Sequence, residues 1–287
     1  MTSASNLREL LRRSDMLVAP GVWDGITARL TEQAGYGAVY MTGAGTAMAR
    51  GFPDFGLLDM TEMADNAAVI ARAVKVPVIA DADTGYGNEL NVTRTVREYE
   101  SRGVAGLHIE DQATPKRCGH LDGKEIVPAP QFISKIRAAV AARRDPDFLI
   151  IARTDSRAVA GFDEAIARAN AALDAGADMA FVEAVQTPEE LAAVPKRVKG
   201  PCLLNVVPGG KTPRVSLPEA QALGYRLAIL PGLLLTATMV AADQALRTVK
   251  ESGTTPDTPR GANVADTFRR FGADEWNALR QRFAAES

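Results

Sequence analysis

Histidine and cysteine are scarce in this chain. His108 and His120 are the two histidines among 287 residues. That excludes a three-histidine metal site and leaves few ways to build a histidine-based triad. Proton transfer therefore falls to Cys, Tyr, Lys or carboxylates. The two cysteines, Cys118 and Cys202, are too few for a disulfide scaffold and lack zinc-type spacing. A reducing compartment leaves both as thiols. No apolar run approaches the ~20 residues of a membrane span. The first residues carry Glu9 and no apolar signal core. A cytoplasmic protein is expected. Charge of one sign is missing too: 33 basic residues face 35 acidic ones. With no basic stripe, nucleic acid is not an expected partner.

What remains is ordinary globular material, 46% hydrophobic and 24% charged. The length admits one large α/β domain or two small ones, with ample core. Short apolar runs alternate with longer amphipathic segments. The expected strands are Met16–Ala19, Ala38–Met41, Val76–Ala80, Gly106–Ile109, Phe148–Ala152, Met179–Val182, Cys202–Val206 and Leu227–Leu230. Helical patterns lie between them, several ending in Gly, as at Gly35, Gly103, Gly176 and Gly224. This alternation predicts a (β/α)8 barrel over residues 1–250. A doubly wound open sheet is the alternative, but it gathers ligands at one switch point, and here polar residues follow strand after strand. After a helix at Leu233–Lys250, Glu251–Asn263 reads as a loop and Asp266–Ala285 as an amphipathic helix rich in aromatics. Such a helix needs a surface, on its own barrel or on a neighbouring subunit.

The strand ends carry the chemistry. Asp81-Ala82-Asp83-Thr84-Gly85-Tyr86-Gly87 follows a buried strand. Paired carboxylates there are costly to bury unless a hard cation satisfies them. Asp54, Asp81, Asp83 and Glu110 converge in a barrel, and an all-oxygen set points to Mg²⁺ or Mn²⁺ rather than zinc. Any one of these acids could instead cap a helix or turn. Arg153 at the end of strand five suits a substrate carboxylate, or a structural ion pair with Glu183 or Asp155. The turn Thr42-Gly43-Ala44-Gly45 offers backbone N–H groups to an anion. Cys118 lies in a long connection, Gln112–Pro128, of the kind that forms lids. Lys116, Arg117 and His120 surround it, which favours thiolate and a chemical role. Cys202, among apolar neighbours, reads as inert.

Four segments together resemble the isocitrate lyase/phosphoenolpyruvate mutase superfamily: Asp81–Asn88, Ile109–Gln112, Lys116-Arg117-Cys118-Gly119-His120 and Ile151–Asp155. The resemblance runs from Ala19 to Pro231. It implies a (β/α)8 barrel whose last helix is swapped between subunits of a dimer or tetramer. It implies Mg²⁺ on Asp81, with Asp54, Asp83 and Glu110 holding metal waters. It implies 2-oxo or 2-hydroxy dicarboxylate substrates met by Thr42, Gly43, Ala44, Gly119, Arg153 and Asn205. Members that are lyases carry Lys-Arg-Cys-Gly-His on a gating loop. By that similarity Tyr40, or a metal-bound hydroxide, takes the hydroxyl proton. Cys118, paired with His120 or Glu183, protonates the carbanion. One departure is Pro208, where dimethylmalate-type lyases and carboxyphosphoenolpyruvate mutase usually have Glu.

The leading expectation is a carbon–carbon lyase acting on a 2,3-dimethylmalate or methylisocitrate analogue and releasing pyruvate. A phosphonomutase acting on a carboxyphosphoenolpyruvate-like substrate is second. An oxaloacetate hydrolase or decarboxylase is third. A barrel kept only for binding would be expected to have lost acids or the lid cysteine, and none is missing.

Overall fold

The computed structural model describes residues 2–256 and 263–284. In chain order the elements are α1 (Ser3–Arg12), β1 (Leu17–Val22), α2 (Gly25–Gln33), β2 (Val39–Met41), α3 (Gly43–Ala49), α4 (Met60–Ala73), β3 (Val78–Asp81), α5 (Glu89–Ser101), β4 (Gly106–Glu110), α6 (Ala129–Ala142), β5 (Leu149–Thr154), α7 (Arg157–Ala160), α8 (Phe162–Asp174), β6 (Met179–Val182), α9 (Pro188–Arg197), β7 (Cys202–Asn205), α10 (Leu217–Leu223), β8 (Leu227–Leu230), α11 (Leu233–Ser252), α12 (Val264–Arg269) and α13 (Ala273–Phe283). Internal contacts divide the chain into Met1–Leu235 and Thr236–Ser287.

The first unit is the predicted (β/α)8 barrel. All eight strands are parallel and close in sequence order, β8 pairing back onto β1. The strands are apolar runs because both of their faces are covered. Their residues alternate between two cores. Leu149 and Ile151 of β5 join Ala19, Tyr40, Ile79, Phe181, Leu203 and Ile229 in one cluster, together with Leu7 of α1. Ile150 and Ala152 join a second cluster with Phe132 and Ile136 of α6 and Ala172 of α8. The register does the positioning: Asp81 pairs with His108, and Glu110 with Arg153.

Strands three, four and five run slightly further than predicted, so Asp81, Glu110 and Arg153 are strand residues rather than loop residues. The four glycines expected at helix ends all have positive φ, between 85° and 107°. The Thr42–Gly45 turn is instead the start of α3, with the Thr42 hydroxyl accepting from Gly45 N–H. Two glycines in seven residues weaken a helix there. Tertiary contacts hold it: Asn66 of α4 donates to Thr46 Oγ1 and to the Trp23 carbonyl.

In the second unit, α11 runs on to Ser252, into the expected loop. The expected helix Asp266–Ala285 is two helices, α12 and α13. Gly272, in the left-handed region at φ 89°, separates them. Ala285 and residues 257–262 lie outside the described residues. No residue of α11, α12 or α13 is buried. Among the described residues no helix is long and apolar enough to cross a membrane.

Candidate active site

A cavity of about 140 Å³ opens at the strands' C-terminal ends. Tyr40, Thr42, Ala44, Asp54, Asp81, Cys118, Gly119, His120, Arg153, Glu183 and Asn205 line it, with Val207, Pro231, Gly232 and Leu235. Of the sequence-predicted site residues, Gly43, Asp83 and Glu110 stand behind this wall. Pro208 is exposed and does not line the cavity; its neighbour Val207 does.

Asp81 is held from two directions. Gly43 N–H donates to Oδ2 at 3.2 Å, and Asp83 N–H to Oδ1 at 2.9 Å. A Cβ on Gly43 would lie 2.5 Å from Asp81 Oδ2, so only glycine permits this approach. Burial opposes ionisation of Asp81, but Lys116 and Arg153, joined by His108 at the low pH where it is protonated, outweigh it and hold the carboxyl below its usual range. Tyr40 Oη lies 3.3 Å from Asp81 Oδ2 and 2.8 Å from His108 Nε2. Burial, then Asp81, raises the Tyr40 phenol, so it stays protonated at neutral pH. Work as a base would require Tyr40 to pass its own proton on. Burial lowers His108 to about 4 and leaves it neutral.

Asp83 adopts a left-handed backbone, φ 45°, a conformation that costs a non-glycine residue of order 1–3 kcal/mol and is typical of functional sites. Burial raises its carboxyl to about 6 against the pull of Lys116. Glu110 is fully buried, and neither of its oxygens has a hydrogen bond. Its nearest cation is Arg153 Nε at 3.2 Å, and burial pushes it well above the usual carboxylate range. A buried, unbonded carboxylate is expensive. Asp54, Asp81, Asp83 and Glu110 are all-oxygen donors around one mouth, and the unbonded Glu110 oxygens call for a cation or its waters. The residues therefore fit a hard divalent ion. Among the described residues no three Asp, Glu, His or Cys side chains converge closely enough to form a ligand triad.

Arg153 meets both structural partners weighed for it. It is bidentate to Asp155, Nε–Oδ2 2.9 Å and Nη2–Oδ1 3.2 Å, and 3.6 Å from Glu183. Its guanidinium also lies over the Phe181 ring. Glu183 accepts from Ala184 N–H at 2.7 Å and from Asn205 Nδ2 at 2.9 Å. Burial opposes this charge, yet Arg153 and His120 hold Glu183 strongly ionised. His120 Nδ1 accepts from Lys211 N–H at 3.0 Å, which places its proton on Nε2, 3.3 Å from Glu183 Oε1.

The segment around Cys118 closes over this floor. A Cβ on Gly119 would meet Glu183 Cγ at 2.5 Å and Arg153 Nη2 at 2.6 Å. Lys116 is buried and bonded to Asp54, and lies 3.0 Å from Asp83. Lys124, also buried, donates to the Gly119 carbonyl and lies 3.6 Å from Asp155. Arg117 stacks on Phe55. These pairings correct the thiolate expectation. Lys116 spends its charge on two acids, and burial, then Asp54, raises the Cys118 thiol. Cys118 is a held thiol, suited to giving a proton. Sequence reasoning gave no role to His108, Lys116 as an ion-pair partner, or Lys124. The short spacing of Lys116 and Lys124 about Cys118 was the available signal. Cys202 is buried, as expected, and burial raises it to about 12.

Comparisons with known proteins agree with this geometry. The family model described as phosphoenolpyruvate phosphomutase matches residues 7–250. A 2,3-dimethylmalate lyase of Eubacterium barkeri is 46% identical, over 97% of this chain and 94% of its own. A 2-methylisocitrate lyase of Aeropyrum pernix is 45% identical, over 88% of this chain and 81% of its own. A crystal structure of 2,3-dimethylmalate lyase, a PEP mutase/isocitrate lyase superfamily member, superposes with a TM-score of 0.93 at 42% identity, covering 98% of this chain and 95% of that one. A barrel closed in sequence order, acids at the ends of β3 and β4, and a β4–α6 connection carrying Cys118 thus coincide with a match across nearly the whole chain: it belongs to the phosphoenolpyruvate phosphomutase family, within the PEP mutase/isocitrate lyase superfamily.

Proposed function

We propose that this chain is a divalent-metal-dependent carbon–carbon lyase that cleaves the C2–C3 bond of a substituted malate, releasing a 2-oxo acid and a second acid. The observation that carries this reading is the position of Cys118, which lines one cavity with Tyr40, Asp54, Asp81, Arg153 and Glu183 at the strand ends, its thiol pushed up by burial. Asp81 would hold the metal directly, with Asp54, Asp83 and Glu110 around it. Bound there, Mg²⁺ or Mn²⁺ would orient the 2-hydroxy acid and offset charge on the 2-oxo product. Arg153, Asn205 and the Gly119 backbone would hold the far carboxylate. Thr42 and Ala44, at the start of α3, would face the near one, while the Gly43 N–H holds Asp81. The hydroxyl proton leaves toward Tyr40, whose phenol can pass its own proton to the neutral His108 Nε2. The C2–C3 electron pair moves onto C3 and its carboxylate. Cys118 then gives its proton to C3, while Glu183 fixes His120 beside it.

Cys118→Ser tests this reading. Removing the proton donor should cut pyruvate release from 2-alkylmalates by about 10²–10⁴-fold with substrate binding retained. Full turnover by that variant would sink the assignment. Formation of a carbon–phosphorus bond from a phosphoenolpyruvate-type substrate, read by phosphorus NMR, would favour a phosphonomutase instead. The exposed apolar residues of α11–α13 support a homo-oligomer with those helices at the subunit contact.

A further inference from the structure

The cavity has two unlike sides. One is polar and carries the acids, Arg153, His120 and Asn205. The other is Ala44, Val207, Pro231 and Leu235, whose side chains offer neither charge nor hydrogen bond. This apolar side is built in. Gly21 of β1 lacks the Cβ that would lie 2.5 Å from Pro231 Cα, and that absence lets Pro231 close in.

Cations are few. Among the lining residues only Arg153 and His120 can be positive, against Asp54, Asp81 and Glu183. Arg153 already faces Asp155, Glu110 and Glu183. Lys116 is committed to Asp54 and Asp83 and Lys124 to Asp155, while Lys211, paired with the exposed Asp122, does not line the cavity. A divalent ion on the acids can take the hydroxy-acid end of a ligand. Arg153, His120 and Asn205 can take a second carboxylate. Among the described residues of the lining nothing remains for a third, which would lie unpaired against Val207, Pro231 and Leu235.

We infer that the substrate is a 2-hydroxy diacid whose remaining substituents are small and aliphatic, and that the wall of Val207, Pro231 and Leu235 rejects a third carboxylate. This rests on the lyase reading and selects between the two kinds of substrate named for the relatives. The size agrees: about 140 Å³ is on the scale of the ~150 Å³ cavity that takes one benzene. The step balances. The hydroxyl gives up its proton, C2–C3 breaks with its electrons going to C3, and the Cys118 proton ends on C3. A 2,3-dialkylmalate thus yields a 2-oxo acid and a saturated monocarboxylate, with no oxidant or co-substrate.

Three 2-methylmalates differing only at C3 test the inference: methyl, ethyl and carboxymethyl, each at fixed free Mg²⁺. The methyl and ethyl compounds should be cleaved with kcat/KM values within about tenfold of each other. The carboxymethyl compound should fall at least ~100-fold below them. Ethyl separates bulk from charge. Val207→Arg and Leu235→Arg each supply the missing cation, and either one that folds should raise carboxymethyl relative to methyl at least ~10-fold. Carboxymethyl cleaved as well as methyl by the unaltered enzyme would overturn the inference and leave the lyase reading standing. If none is cleaved, the lyase reading falls. Calorimetric binding of the same three compounds to the Mg²⁺-loaded protein then decides: tighter methyl supports the wall, and equal or tighter carboxymethyl overturns it.

Discussion

Buried next to Tyr40 and Asp81, His108 links the strand register to acid sensitivity. Its imidazole is lowered from 6.5 to about 4; burial is the main cause, Asp81 opposes it, and Arg153 and Lys116 add to it. Between those values an unfolded chain binds the proton and the folded one does not, so stability falls as pH falls through this window. The full contribution is about 3 kcal/mol. Asp83, raised to about 6, works in the opposite direction. The comparison of His108→Gln with the unaltered protein cancels that background. The melting midpoint should drop more steeply from pH 6.5 to 4.5 with His108 than without it, by roughly 2–4 °C per kcal/mol in a chain of this size. Parallel curves would show that His108 does not carry the effect. His108 was visible in the sequence only as a strand-end residue. Its neutral state comes from burial, which one-dimensional spacing does not report. Lys116 shows the converse. In the chain it looks like a charge beside Cys118. In the fold it belongs to Asp54 and Asp83, four and two elements away.

The connection between β7 and α10 holds the cavity-lining His120 in place. Lys211 N–H fixes the His120 tautomer, and a Cβ on Gly210 would lie 2.6 Å from His120 Nδ1. Gly210→Ala must move either the loop or the imidazole. A displacement of that order should lower kcat about 10–100-fold with an unchanged circular dichroism spectrum. Unchanged kcat would show that His120 does not need this loop. The same connection leaves Pro208 exposed and outside the cavity lining while Val207 lines it. Both residues are adjacent in sequence, and only the backbone path decides which one lines the cavity. The elements themselves were more legible. Apolar runs covered on both faces leave a strong pattern, so the strands fell within a few residues of their predicted bounds. The small helix α3 did not, because Asn66 of α4 holds it from outside through Thr46.

For the whole molecule, the exposed aromatics of the second unit carry the clearest expectation. Phe268, Trp276 and Phe283 are 62%, 71% and 75% exposed. Apolar side chains in such a run are rarely left to water. Light scattering should give an integral multiple of the chain mass, and deletion of residues 264–287 should reduce it or cause aggregation. A strictly monomeric, soluble full-length chain would remove the case for a subunit contact there. What the order of residues determined alone is the barrel and its acidic mouth, since hydrophobic alternation and the polar residues ending each run are local properties of the chain. The tertiary structure decided which charges cancel, that Cys118 remains a thiol, and which wall of the cavity is apolar. Those outcomes depend on burial and on distances between residues far apart in sequence, and neither is written in any short stretch of it.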